Sequence, residues 1–134
     1  MDIDEALFTR RTAHLWADEP VPLEVVEKGI QAAQMAPCHR LTWPWRFALA
    51  GPETRQKIFE LGVRLKSPTG QSPPAPPLLA KLEKKLKNPA HLLIVSQPHA
   101  DNPAIQHENY AAVSAAIQNL ALSIHGAGYA TKWS

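Results

Sequence analysis

Apolar residues recur every three or four positions in five stretches of this chain, the spacing of one face of an α-helix. The pattern predicts helices over residues 2–10, 23–35, 53–66, 78–87 and 104–125. In the third of these, Ile58, Leu61 and Leu65 are expected to face inward. The prolines support the bounds of the helix predicted over residues 23–35. Pro22 suits a first helical turn, and Pro37 ends the helix before it.

Two short segments between these helices are predicted to be strands. Residues 45–50 end at the turn residues Gly51 and Pro52, and residues 91–96 contain an apolar run typical of a strand buried on both faces. The proline-rich residues 67–77 are expected to form a mobile surface loop or lid, because proline donates no backbone hydrogen bond. The order of elements predicts an α+β fold in which helices flank a sheet.

The last predicted helix is rich in alanine and apolar nearly all round. Such a helix needs burial, either in a core or against a second chain. Its main apolar stripe comprises Ile105, Tyr110, Val113, Ile117, Leu120 and Ile124.

Composition indicates one globular domain, with 134 residues of which 45% are hydrophobic and 19% charged. The net charge of +2 is too small to indicate nucleic acid, and the basic residues within 81–87 are interpreted as a solvated helix face. No apolar run approaches the roughly 20 residues that span a bilayer. The acidic start of the chain is unlike a secretory signal. We therefore expect a cytoplasmic protein without nucleic-acid or membrane partners.

Cys38 is the single cysteine, so an internal disulfide is excluded. Its neighbour His39 raises the alternatives of a metal site or a thiolate nucleophile. The other histidines do not show the spacing of a zinc site, and adjacent side chains rarely face each other. We expect no metal site and no catalytic side chain.

Two motifs carry candidate chemistry. Arg10-Arg11-Thr12 follows the first predicted helix, and two guanidiniums with a hydroxyl suit a phosphate or polyol. Cations after a helix can also simply complement its dipole. The second motif, residues 36–47, reads Ala-Pro-Cys-His-Arg-Leu-Thr-Trp-Pro-Trp-Arg-Phe. Together the motifs resemble the flavin-binding signature of the nitroreductase family, Arg-Arg-Ser followed by Ala-Pro-x-His-Lys-x-x-x-Pro-Trp-x-Phe.

The resemblance extends to the end of the chain and has local departures. Residues 126–134 come directly after the alanine-rich helix. In the family, a flavin-contacting strand comes in the same way directly after the central dimer-interface helix. Arg40 stands where the His-Lys subgroup has Lys, and Leu41 and Trp43 stand where many other members have Asn and Gln.

The resemblance implies a three-layer nitroreductase fold, a homodimer and an FMN at the subunit interface. It implies that Arg10, Arg11 and Thr12 of one subunit contact the FMN phosphate and ribityl chain. The loop with Pro37, Cys38 and His39 would reach over the flavin of the other subunit. Trp133 and Ser134 are expected to contact the cofactor as well.

The implied activity is hydride transfer from NADH or NADPH, through the flavin, to an electron-poor acceptor such as a nitroaromatic or a quinone. Family chains continue beyond the position of Ser134, so we expect residues 1–134 to be a single nitroreductase-like domain truncated at its C-terminal end, either a fragment or a shortened member. The alternative function is a non-catalytic or weakly flavin-binding dimeric remnant of the same fold.

Overall fold

The computed structural model describes residues 1–67 and 74–134, and within them the chain forms five α-helices and two strands. In chain order they are α1 (Ile3–Thr9), α2 (Leu23–Ala33), β1 (Arg46–Leu49), α3 (Pro52–Lys66), α4 (Pro76–Leu86), β2 (Leu93–Ser96) and α5 (Pro103–Gly126), with a 3₁₀ turn at His39–Leu41 between α2 and β1. Every helix and strand predicted from the apolar pattern is confirmed within a few residues. The strand that the resemblance implies within residues 126–134 is present only as an isolated bridge at Thr131. The loop predicted at 67–77 lies mostly outside the described residues, and α4 begins inside it.

Local chemistry explains where the helices begin. Pro52, Pro76 and Pro103 occupy the first positions of α3, α4 and α5, where a missing N–H breaks no helical hydrogen bond. The Asn102 side chain caps α5 by accepting from the Ala104 N–H at 2.9 Å. Asp2 caps α1 in the same way, accepting from the Glu5 N–H at 2.8 Å.

The described chain divides into two compact units, of which the first comprises Met1–His14, Val21–Phe47 and Val95–Ser134. In this unit α2 packs along α5. Gly29 permits the close approach, because a Cβ there would lie 3.1 Å from Ile124 Cγ1. The buried core comprises Ala6, Val26, Ala33, Ala36, Trp45, Ala112, Val113, Ala116, Leu120, Ala121 and Ile124.

The second unit comprises Leu15–Pro20 and Ala48–Ile94, and it is built on the packing of α3 against α4. The predicted inward face of α3 is wrong at Leu61 and Leu65, which are 43% and 72% exposed. Phe59 is the buried residue of α3, and the Lys87 ammonium lies 4.1 Å from its ring centre. Arg55 explains which side of α3 faces inward. Its guanidinium faces α4 and donates to the carbonyls of Leu86, Lys87, Pro89 and Ala90.

The strands β1 and β2 pair as a two-stranded sheet within the described residues, which confirms the α+β class. Predicted burial of the second strand on both faces is wrong. Half-buried and exposed residues alternate along β2, and Ile94 is 39% exposed. Within one chain α5 is buried on one side only, since Val113, Leu120 and Ile124 are buried and Tyr110 is 63% exposed, so burial of its other side against a second chain stays a prediction. None of the described helices is long and apolar enough to cross a membrane.

Candidate functional site

The N-terminal motif lies beside the C-terminal segment of the chain. Thr12 forms a parallel β-bridge with Thr131, and the Ala13 N–H donates to the Thr131 carbonyl at 3.0 Å. Just before the motif, Thr9 Oγ1 lies 2.9 Å from His125 Nε2 in the last turn of α5. The structure thereby brings together Arg10, Arg11 and Thr12 with Lys132, Trp133 and Ser134. We call this group the clamp.

The charge of the clamp is positive. Residues 6–17 and 109–134 contain no Asp or Glu, whereas they contain Arg10, Arg11 and Lys132. Cationic side chains in the same two bridged segments as the hydroxyls of Thr12 and Thr131 suit a phosphate group, for which both arginine and lysine are common ligands. Lys132 was not predicted from the sequence. The sequence offers one indication of it, since Lys132 is the only Lys, Arg, Asp or Glu after Glu108.

The two arginines of the clamp have different surroundings. Arg11 Nη1 donates to the carbonyls of Phe8 at 2.9 Å and Arg10 at 2.8 Å, at the end of α1. Arg11 thus complements the C-terminal end of its own helix. The half-buried Arg10 guanidinium has no hydrogen bond or ion pair within the described residues. Its donors are therefore free for a ligand.

The second motif forms a tight loop, residues 38–43, between α2 and β1. Arg40, Leu41 and Trp43 have φ values of 60°, 52° and 45°, in the left-handed region that non-glycine residues rarely adopt. The Cys38 sulfur accepts the Trp43 N–H at 3.2 Å and lies 3.4 Å from Thr42 Oγ1. Cys38 therefore stabilises the turn. Pro37, just before it, is exposed.

Two consecutive residues of α5 hold this loop. His39 Nδ1 lies 2.9 Å from Glu108 Oε1. Thr42 Oγ1 donates to Asn109 Oδ1 at 2.9 Å, and Asn109 is buried. Neither α5 residue was predicted from the sequence, although Glu108 stands out as the only acidic residue of α5. In the part of the chain that the structure describes, no three His, Cys, Asp or Glu side chains converge on a metal position.

The clamp and the loop lie at opposite ends of α5. Asn109 holds the loop, and His125 contacts Thr9, the residue before the clamp. These two residues of α5 are sixteen positions apart. A helix rises about 1.5 Å per residue, so about 24 Å separate the two contacts. One chain therefore does not place His39 beside Arg10.

Comparison with known proteins gives consistent matches. The model of the nitroreductase family matches residues 7–134. The Bacillus subtilis protein YfhC, whose provisional name is NAD(P)H nitroreductase, is 31% identical over 137 residues, covering 96% of this chain and 66% of that protein. The chain thus spans slightly less than two thirds of that relative.

Solved structures show the same fold. A nitroreductase-like family protein from Bacillus cereus superposes with a TM-score of 0.81 at 20% identity, over 96% of this chain and 66% of that chain. A mutant of NfnB, described as an FMN and NADPH-dependent nitroreductase from Sphigopyxis sp. strain HMH, superposes with a TM-score of 0.72 at 17% identity, over 97% of this chain and 73% of that chain. The predicted nitroreductase-like fold is confirmed.

Proposed function

Since this chain belongs to the nitroreductase family, we propose that it acts as an FMN-dependent oxidoreductase in a homodimer with two shared cofactor sites. When bound, FMN would supply the redox chemistry, with NADH or NADPH as hydride donor and an electron-poor compound such as a nitroaromatic or a quinone as acceptor. The FMN and NADPH dependence of NfnB supports this choice of cofactor and donor. We place the protein in the cytoplasm.

The clamp residues fit the phosphate end of FMN. Arg10 offers guanidinium donors that no described residue engages, and Lys132 follows the bridged Thr131 directly. Arg11 adds charge while one of its nitrogens stays on the end of α1. Thr12 supplies a hydroxyl, and we assign Trp133, which is 58% exposed, and Ser134 to the same ligand. These residues bind and orient the cofactor, and none needs to act as an acid or base.

The contacts at opposite ends of α5, about 24 Å apart along the helix axis, carry the homodimer proposal. A cofactor held by Arg10 can meet a His39 loop only if a second chain supplies that loop, as a two-fold axis would arrange. Exposed apolar side chains beside both halves support this arrangement, because a second copy would bury them. They are Phe8 at 75%, Trp133 at 58%, Leu41 at 65% and Trp43 at 49% exposure.

Mixing two variants tests the shared site directly. The first variant is Arg10→Ala with Arg11→Ala, which damages the clamp, and the second is His39→Ala, which damages the loop. In a shared-site dimer each pure variant has two damaged sites. A mixed dimer has one site with both defects and one intact site. We therefore expect FMN binding, followed by flavin fluorescence, to rise on refolding the two variants together.

The matched control carries all three substitutions in one chain and is refolded with wild type. That mixed dimer has two damaged sites, so mixing should restore nothing beyond the wild-type fraction. If the two single-defect variants also fail to complement, the site is not shared. A dimer in light scattering that binds no added FMN would instead support the non-catalytic remnant.

A further inference from the structure

The loop over residues 38–43 is held in a costly conformation by α5. Three of its residues, Arg40, Leu41 and Trp43, have positive φ without being glycine. Such backbone persists only where surrounding contacts determine it, and it is concentrated at functional sites. Here the contacts come from Glu108 and Asn109. Glu108 is the only acidic residue of α5, so its place opposite His39 is not shared by another carboxylate of that helix.

The contact with Glu108 determines which nitrogen of His39 carries a proton. His39 Nδ1 and Glu108 Oε1 lie 2.9 Å apart as an ion pair, and because a lone pair on Nδ1 would be repelled by a carboxylate oxygen at that distance, the proton belongs on Nδ1. Nδ1 is then protonated in both the neutral and the cationic imidazole. The Nε2 atom is left for a ligand, and the His39 side chain is 64% exposed. Carboxylates also orient metal-binding histidines through a contact to the second ring nitrogen.

We propose that Glu108 is a positioning residue that keeps His39 in the Nδ1–H form and presents Nε2 to the FMN held by the clamp of the other subunit. This inference rests on the proposed function for the identity of the ligand. The tautomer itself does not depend on FMN. In the neutral ring Nε2 offers a lone pair, and in the cation it offers a proton to an acceptor atom of the ligand.

Nitrogen NMR of the full chain without FMN tests the tautomer. In ¹⁵N-labelled protein at mildly alkaline pH, where a free imidazole is neutral, ring ¹⁵N shifts distinguish Nδ1–H from Nε2–H. We expect His39 to be Nδ1–H in wild type and to lose that preference in Glu108→Ala. The matched control is Gln118→Ala, an exposed position of α5, which should leave the His39 shifts unchanged.

His99 provides a reference inside the same spectrum. Its Nε2 lies 3.6 Å from Asp101 Oδ1, too far for a hydrogen bond, and both side chains are exposed. We expect no imposed tautomer there. If wild-type His39 is Nε2–H, or if Glu108→Ala leaves it Nδ1–H, the inference is wrong. If circular dichroism shows that Glu108→Ala does not fold, the ring ¹⁵N shifts of His39 in the wild-type protein decide which tautomer is present.

A second measurement separates this inference from the proposed function. FMN affinity should fall roughly tenfold in Glu108→Ala, the usual effect of losing one charge-assisted hydrogen bond, and remain unchanged in Gln118→Ala. If wild type binds FMN and Glu108→Ala binds it equally well, the positioning role fails while the proposed function stands. If wild type binds no FMN, the proposed function fails, and the ligand assigned to Nε2 fails with it.

Discussion

Thr9 Oγ1 and His125 Nε2 lie 2.9 Å apart and join the last residue of α1 to the last turn of α5. The Thr9 hydroxyl donates to the Glu5 carbonyl at 2.5 Å, so it accepts from the His125 N–H. Arg10 is the next residue, so this bond fixes where the clamp begins. Because His125 lies in the last turn of α5, the clamp is most of the length of α5 away from the loop.

We expect Thr9→Val to lower the free energy of unfolding by about 1–2 kcal/mol, because it removes the hydroxyl's hydrogen bonds to both Glu5 and His125. The substitution keeps the shape of the side chain and removes its hydroxyl. Urea unfolding followed by circular dichroism measures the change. Thr54→Val is the control, because Thr54 is exposed in α3 with no hydrogen bond to its hydroxyl in the described residues. Equal losses in both variants would mean that the His125 contact contributes nothing.

We expect Arg10→Ala and Arg11→Ala to differ in stability. Arg10 has no partner in the described residues, so its removal should change the free energy of unfolding by less than about 0.5 kcal/mol. Arg11 donates to two carbonyls at the end of α1, so its removal should cost about 1 kcal/mol. Urea unfolding of the FMN-free protein measures both.

FMN titration provides the second half of that comparison. Arg10→Ala should weaken binding at least tenfold although it leaves stability unchanged, since its free donors are assigned to the phosphate. Arg64→Ala, at an exposed position of α3, is the control for loss of one positive charge. An Arg10→Ala protein that is destabilised, or that binds FMN like wild type, would contradict the assignment.

We expect Thr42→Val to destabilise the protein by about 1–3 kcal/mol, because Asn109 Oδ1 would be left buried without its donor. Thr42→Ser is the matched variant, since it keeps the hydroxyl and should retain most of the stability. Thermal unfolding compares the two. If both variants lose the same stability, the hydrogen bond to Asn109 is not what holds the loop.

We expect Arg55→Lys to destabilise the second unit by about 2 kcal/mol. The guanidinium donates to four carbonyls at and after the end of α4, and a single ammonium cannot reach the same set. Hydrogen exchange of the α4 amides should show the local loss. Arg64→Lys serves as control, and equal protection in both variants would contradict the bracing role of Arg55.

Much of the local structure follows from neighbouring residues. Helix starts at Pro52, Pro76 and Pro103 and the apolar spacing of α5 are short-range properties, which is why their bounds were predictable. The face of α3 was predicted wrongly because Arg55, a charged residue, occupies the buried side through contacts with carbonyls more than thirty positions later. Periodicity of apolar residues does not detect such a contact.

The sequence by itself determined the order of the elements, the α+β class and the membership of Arg10, Thr12 and His39 in recognisable motifs. Only the tertiary structure decided that the Arg10 guanidinium has no partner in residues 1–67 and 74–134 while Arg11 is engaged, that Glu108 and Asn109 hold the loop, and that clamp and loop lie far apart. The physical reason is range. Motifs and periodicity record neighbours along the chain, whereas these contacts join atoms brought together when α1 and the 38–43 loop pack against opposite ends of one helix.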